Sequence, residues 1–285
     1  MRNKLLTSAL VMIFSWQVTS VNAEKTLWSQ PIFDQPESAL LNSMSNEILI
    51  SNINGGALEL NGKGYISRVS TSGELLQKHW VKELDAPKGM GLFGQKLYIA
   101  DMQKLHVVDT TTGKIITSYF AGNSKMLNDV SIDEGGNVYV SDILGGSIYR
   151  LKGGKFEKWF STPLIEHPNG LLVDKGSLYV ANWGQGLHED FSTDELGKIY
   201  RLSLLNPYSQ IEVISGALGN LDGLVSHKGQ FIVNDWVSGN VFRIHNGQSE
   251  LLFNAGKGVA DIGIYQGELL LPMMFDNRID SYKLD

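Results

Sequence analysis

One phrase is written six times along this chain of 285 residues, and a chain that repeats itself at such an interval folds as stacked or radial units. The phrase is a turn, an apolar strand, a Gly-rich tight turn and a second strand that usually ends in Asp or Asn. It reads LNDVSIDEGGNVYVSD from Leu127, PNGLLVDKGSLYVAN from Pro168 and LDGLVSHKGQFIVND from Leu221. Its starts are Glu37, Lys88, Asn128, Asn169, Asp222 and Ala260, separated by 51, 40, 41, 53 and 38 residues. A third strand follows in each unit, as in GYISRV at 64–69, GSIYRL at 146–151 and GKIYRL at 197–202. Most units add a fourth, such as GKFEKWF at 154–160. Four antiparallel strands in each of six units predict an all-β, six-bladed β-propeller. The sixth unit runs out after its third strand, so TLWSQPIF at 26–33 is expected to supply the outer strand of the last blade and close the ring.

Composition agrees with that reading and narrows the rest. The 31 glycines suit a protein of many tight turns. Arg2 and Lys4, an apolar stretch from Leu5 and the small residues Val21-Asn22-Ala23 read as a signal peptide over residues 1–23. That leaves a single propeller over 24–285, with a periplasmic or secreted location expected. There is no cysteine, so neither a disulfide nor a lipid-anchored cysteine is available. Setting aside Arg2 and Lys4 takes the formal net charge from −6 to −8, which argues against nucleic acid. No later stretch is apolar for long enough to span a membrane, and a closed ring without a sticky edge is expected to be a monomer.

In a propeller the first strand of each blade is innermost, so its starting residue rims the central channel. Glu37, Asn128, Asn169 and Asp222 would then converge, two carboxylates and two amide oxygens in one small space. Hard oxygen ligands of this kind suit one divalent cation, Ca²⁺ first, with Mg²⁺, Mn²⁺ or Zn²⁺ as alternatives. The competing reading is local: Asn-Gly and Asp-Gly are common turn pairs. Glu37, in PES, has no favoured turn chemistry and weighs toward the metal. The second-strand ends Asn52, Asp101, Asp142, Asn182 and Asp235 recur in nearly every unit, which suggests a structural turn role. Lys88 could contact a substrate anion, pair with a ring carboxylate or point away, and Asp129 and Asp261 could support the ring or simply sit in turns. Two long links, Ile53 to Lys63 and Trp183 to Leu196, lie on the same face in opposite blades and should flank the channel mouth. His188, in the second of them, is a candidate proton shuttle or substrate contact. No Gly-x-Ser-x-Gly elbow, HExxH helix or phosphate loop is present.

These motifs resemble the gluconolactonase and regucalcin-like family of six-bladed propellers. The resemblance rests on ESALLNSMSNEILISNI from Glu37, LNDVSIDEGGNVYVSD, PNGLLVD and LDGLVSH. It implies that Glu37, Asn128, Asn169 and Asp222 ligate the metal, that Asn128 also meets substrate, and that Asp222 serves as general base or nucleophile. The implied reaction is the opening of a small-molecule lactone or ester. Lys88 and the residues after Glu37 depart from the family pattern. A non-catalytic propeller that binds a ligand or partner and keeps Ca²⁺ as a structural ion is the alternative.

Overall fold

The computed structural model describes residues 25–284. They form six four-stranded antiparallel sheets arranged as blades, and almost no helix. Blade one is Pro36–Asn42, Glu47–Asn52, Gly64–Ser70 and Leu75–Leu84, paired in that order from the centre outward. The innermost strands of the next four blades are Pro87–Phe93, Leu127–Ile132, Pro168–Asp174 and Leu221–His227. In blade six the inner strand is the short Gly263–Tyr265. The expected closure is present: Thr26–Gln30 pairs antiparallel with Arg278–Lys283 and completes blade six as its outer strand. The residues assigned to the signal peptide lie outside the described region.

Why these segments make blades follows from where their side chains go. Successive residues of a strand point to opposite faces, and here each face meets a neighbouring blade. Middle strands such as Lys96–Asp101 and Val138–Asp142 are therefore buried along nearly their whole length rather than alternating with solvent. The core divides accordingly into six interblade clusters. One of them sets Tyr98, Leu105 and Val107 of blade two against Leu127, Val130 and Val140 of blade three. Another closes the ring, with Leu270 and Ile279 of blade six against Ala39, Ile48 and Ile50 of blade one. The turns between first and second strands use the left-handed region, as at Lys175-Gly176 (φ 45° and 74°) and Lys228-Gly229 (φ 49° and 75°). Two consecutive positive φ values make the primed turn that matches the twist of a hairpin, and the second residue is Gly because a side chain there is strained.

A seventh apolar cluster is not between blades but across one end of the channel. It joins Ile53, Met102, Met126, Ile143 and Trp183, with Phe191, Trp236 and Met274 packed on it half-buried. The two long links contribute to it as expected. That from blade four is an additional hairpin, Gly184–Leu187 paired with Thr193–Leu196.

Candidate metal centre and channel-mouth cavity

The ring residues owe their position to a repeated irregularity. In blades one to five the pairing of first and second strands breaks after the strand's opening residue and resumes three residues later. The breaks fall at Pro36/Ala39, Pro87/Met90, Leu127/Val130, Pro168/Leu171 and Leu221/Leu224. The two residues inside each break include Glu37, Lys88, Asn128, Asn169 and Asp222. A bulge of this kind re-aims side chains and recurs beside active sites. Where the second bulge residue is not Gly, its freed N–H has a dedicated acceptor: Ser38 N–H donates to Ser51 Oγ (2.9 Å) and Asp129 N–H to Ser141 Oγ (2.8 Å).

Asn169-Gly170 and Asp222-Gly223 are therefore strand bulges and not turns, and neither glycine has a positive φ. Their glycines answer to crowding. A Cβ on Gly170 would sit 2.0 Å from the Asp222 carbonyl oxygen, and one on Gly223 2.2 Å from the Ile262 nitrogen. Only Gly lets adjacent inner strands approach so closely at the axis. The second-strand ends do play the structural part expected of them. Asp101 accepts from Asp85 and Ala86 N–H, Asp142 from Lys125 and Met126 N–H, Asn182 from His167 N–H and Asp235 from Asn220 N–H. Each ties down the loop that delivers its own blade's ring residue.

Glu37, Lys88, Asn128 and Asp222 line one cavity of about 360 Å³ at the channel mouth. Asn169 stands behind them, fully buried, and its Nδ2 donates to Asp222 Oδ1 (2.8 Å) and to the Leu221 carbonyl (3.2 Å). Those two acceptors fix its amide orientation, since the reverse would set oxygen against oxygen. The Asn169 oxygen is then left over. Glu37 Oε2, Asn128 Oδ1 and Asn169 Oδ1 are all buried and have no hydrogen-bond partner. Buried polar atoms are rarely left so, and three acceptors without a donor in one ring match what a bound cation satisfies.

The electrostatics point the same way. Burial, then the Asp222 charge, lifts the Glu37 carboxyl well above the usual range. Burial first and Asp129 second push Asp222 up to about 8. Deeper in the channel, burial raises Asp129 to about 6 and Asp261 well above its ordinary value. Neither is a turn residue: Asp129 accepts from Val130 and Leu171 N–H (2.6 and 2.5 Å), and Asp261 from Ser38 Oγ (2.6 Å). Four buried carboxyls in one channel, with Lys88 the one cation buried beside them among the described residues, form a site short of positive charge.

Lys88 resolves toward the ring. It is 2 % exposed, and its Nζ donates to the carbonyls of Ala57 (3.0 Å) and Ala86 (2.8 Å). Burial lowers its pKa, against the opposing pull of the Glu37 carboxylate. His188 is placed differently: it sits in the blade-four hairpin, paired with Asp194 (3.0 Å), and is not among the residues lining the cavity. Ala260 brings no ligand, as its side chain implies. Its carbonyl and that of Val259 are held by Asn234 Nδ2 (3.1 and 2.7 Å), whose Oδ1 is a further buried oxygen without a partner. Sequence reasoning missed Asn234. Its signal was visible, because the residue before the second-strand end is Ser or Ala in blades one to four and Asn only here.

No family model matches the chain, and no curated protein matches it in sequence. Among solved structures it is similar to a gluconolactonase of Xanthomonas campestris, at 15% identity and a TM-score of 0.70 over 94% of both chains. The likeness is one of fold, a six-bladed propeller. It is also similar, at 14% identity and a TM-score of 0.60, to a chain of the nidogen–laminin complex, over 87% of this chain and 92% of that one. The same plan thus serves in an enzyme and in a protein assembly, and function has to be argued from the site.

Proposed function

We propose that this protein is an exported, divalent-metal-dependent hydrolase that opens lactones or related esters at the channel mouth. The observation that carries the reading is the set of three unpartnered buried oxygens, on Glu37, Asn128 and Asn169, around the raised carboxyl of Asp222. Those four residues would hold the cation, with Ca²⁺ the best match to an all-oxygen set. When bound, the ion would polarise the carbonyl or lower the pKa of water and offset the oxyanion that develops.

The chain's own groups supply the rest. Asp222 lines the cavity with one oxygen fixed by Asn169, so its carboxylate is oriented to take a proton from attacking water. The amide of Asn169 holds that carboxylate through one hydrogen bond (2.8 Å). Lys88, anchored by two carbonyls, keeps positive charge beside Glu37 and favours its ionised form. The apolar cluster over the mouth limits access of bulk water, which strengthens each of these interactions.

Turnover of a lactone panel by the protein with Ca²⁺, after chelation, and with Asp222→Asn tests the reading. Hydrolysis restored by Ca²⁺ and lost in the variant supports it. A Ca²⁺-dependent rise in Tm with no hydrolysis of any lactone or ester would instead favour a binding propeller with a structural ion.

A further inference from the structure

The cavity has two unlike halves, and the second half states a preference that the ring of oxygens does not. Above the ring the wall is apolar: Trp183, Phe191, Trp236 and Phe275, with Met126 and Ile143 from blade three. The four aromatic rings form a continuous chain, with centroids 6.4 Å apart for Trp183–Phe191, 5.8 Å for Trp183–Trp236 and 5.1 Å for Trp236–Phe275. They come from three different loops, so the surface is assembled by the fold. Phe191 is held at a φ of 67°, a costly conformation for a bulky residue, and its carbonyl is clamped by Trp183 Nε1 (2.8 Å).

Apart from the ring oxygens assigned to the cation, the polar groups lining the cavity are few and largely engaged. Among the described residues, no Ser, Thr, Tyr or Arg lines the cavity. The oxygen of Gln35 accepts from Gly55 N–H (2.8 Å), and Gly56 N–H donates to Glu59 (2.8 Å). Lys88 Nζ donates to two carbonyls, as described above, and to the Met102 sulfur (3.7 Å). On the apolar wall a ligand carrying several hydroxyls would lose water and find few replacement partners, which costs far more than a mismatched methylene.

We infer that the substrate is an apolar lactone or ester whose carbonyl reaches the oxygen ring while an alkyl or aryl substituent lies on the aromatic wall. The inference rests on the hydrolase reading for the reaction but on the wall for the ligand class. Size agrees. A cavity of about 150 Å³ admits a benzene-sized body, and 360 Å³ leaves room for a small ring plus one substituent of similar bulk. Phe275, 53 % exposed, stands at the rim where a longer chain would emerge.

The test uses the Ca²⁺-loaded protein and two series on one γ-lactone ring, one with a lengthening alkyl chain and one with added hydroxyls. Tryptophan fluorescence titration with the matching γ-lactams reads binding without turnover. Expected is a kcat/KM that rises about fourfold per methylene until the chain clears the rim. Hydroxylated lactones should fall at least about tenfold below the alkyl ones, and Trp236→Ala and Phe275→Ala should flatten the chain-length slope. Preference for the hydroxylated series, or no slope, overturns the inference while leaving the hydrolase reading intact. If no lactone is hydrolysed, that reading fails and the lactams decide: affinity rising with chain length upholds the apolar site, and affinity indifferent to it overturns the site as well.

Discussion

Asp222 is the residue on which most can be tested. Its carboxyl is pushed up to about 8 in the folded, metal-free protein, against 3.8 for the unperturbed group. A folded value above the unfolded one means that stability is fullest below the lower value and drains as pH climbs through the higher. In chelator, Tm should therefore fall between about pH 4 and about pH 8, and Glu37 and Asp261 push in the same direction. Ca²⁺ should abolish the fall, since it binds the deprotonated ligands and its affinity grows as protons leave. A melting curve in chelator that ignores pH over this window would refute the picture of a charge-starved channel. Asp222→Asn removes one buried carboxyl at nearly constant shape. We expect it to raise Tm in chelator, shrink the Ca²⁺-induced rise, and lower turnover by about 10² or more. A variant that keeps wild-type turnover would remove Asp222 from the chemistry.

At the scale of elements, the bulge is the unit that matters. It turns a strand's first residues toward the axis, and the glycine inside it makes room for the next blade. Gly170→Ala would drive a Cβ into the Asp222 carbonyl, so it should cost about 1–3 kcal/mol or more in a denaturant titration and weaken Ca²⁺ binding too. A variant as stable as the parent would show that the inner strands are not packed that tightly. The same unit explains what was legible beforehand. The positions of Glu37, Lys88, Asn128, Asn169 and Asp222 were readable because a structural repeat puts like positions in like places. Whether Asn169-Gly170 was a turn or a bulge was not, because both favour the same two residues and differ only in what lies across the axis. Asn234 escaped because it broke a Ser/Ala pattern too plain to be noticed. The aromatic wall was only partly legible: Trp183 and Phe191 lie in the long link expected at the mouth, and Trp236 repeats the position of Trp183 just after a second-strand end, but Phe275 follows no such period and only the closed ring brings the four together.

For the whole molecule, blade count and closure were readable from strand arithmetic; the closing strand is Thr26–Gln30, shorter than the expected 26–33, paired with Arg278–Lys283. Deleting 26–33 should lower Tm and expose the edge of the Arg278–Lys283 strand, with self-association visible by size-exclusion chromatography. An unchanged Tm and a single unassociated species would mean the seam adds nothing. That seam also sets a schedule. Thr26–Gln30, the first of the described strands to be made, pairs with a strand about 250 residues further on, so five blades can stack before it finds its partner. Until then the leading strand has to stay unpaired, and loss of the Arg278–Lys283 strand alone would orphan it.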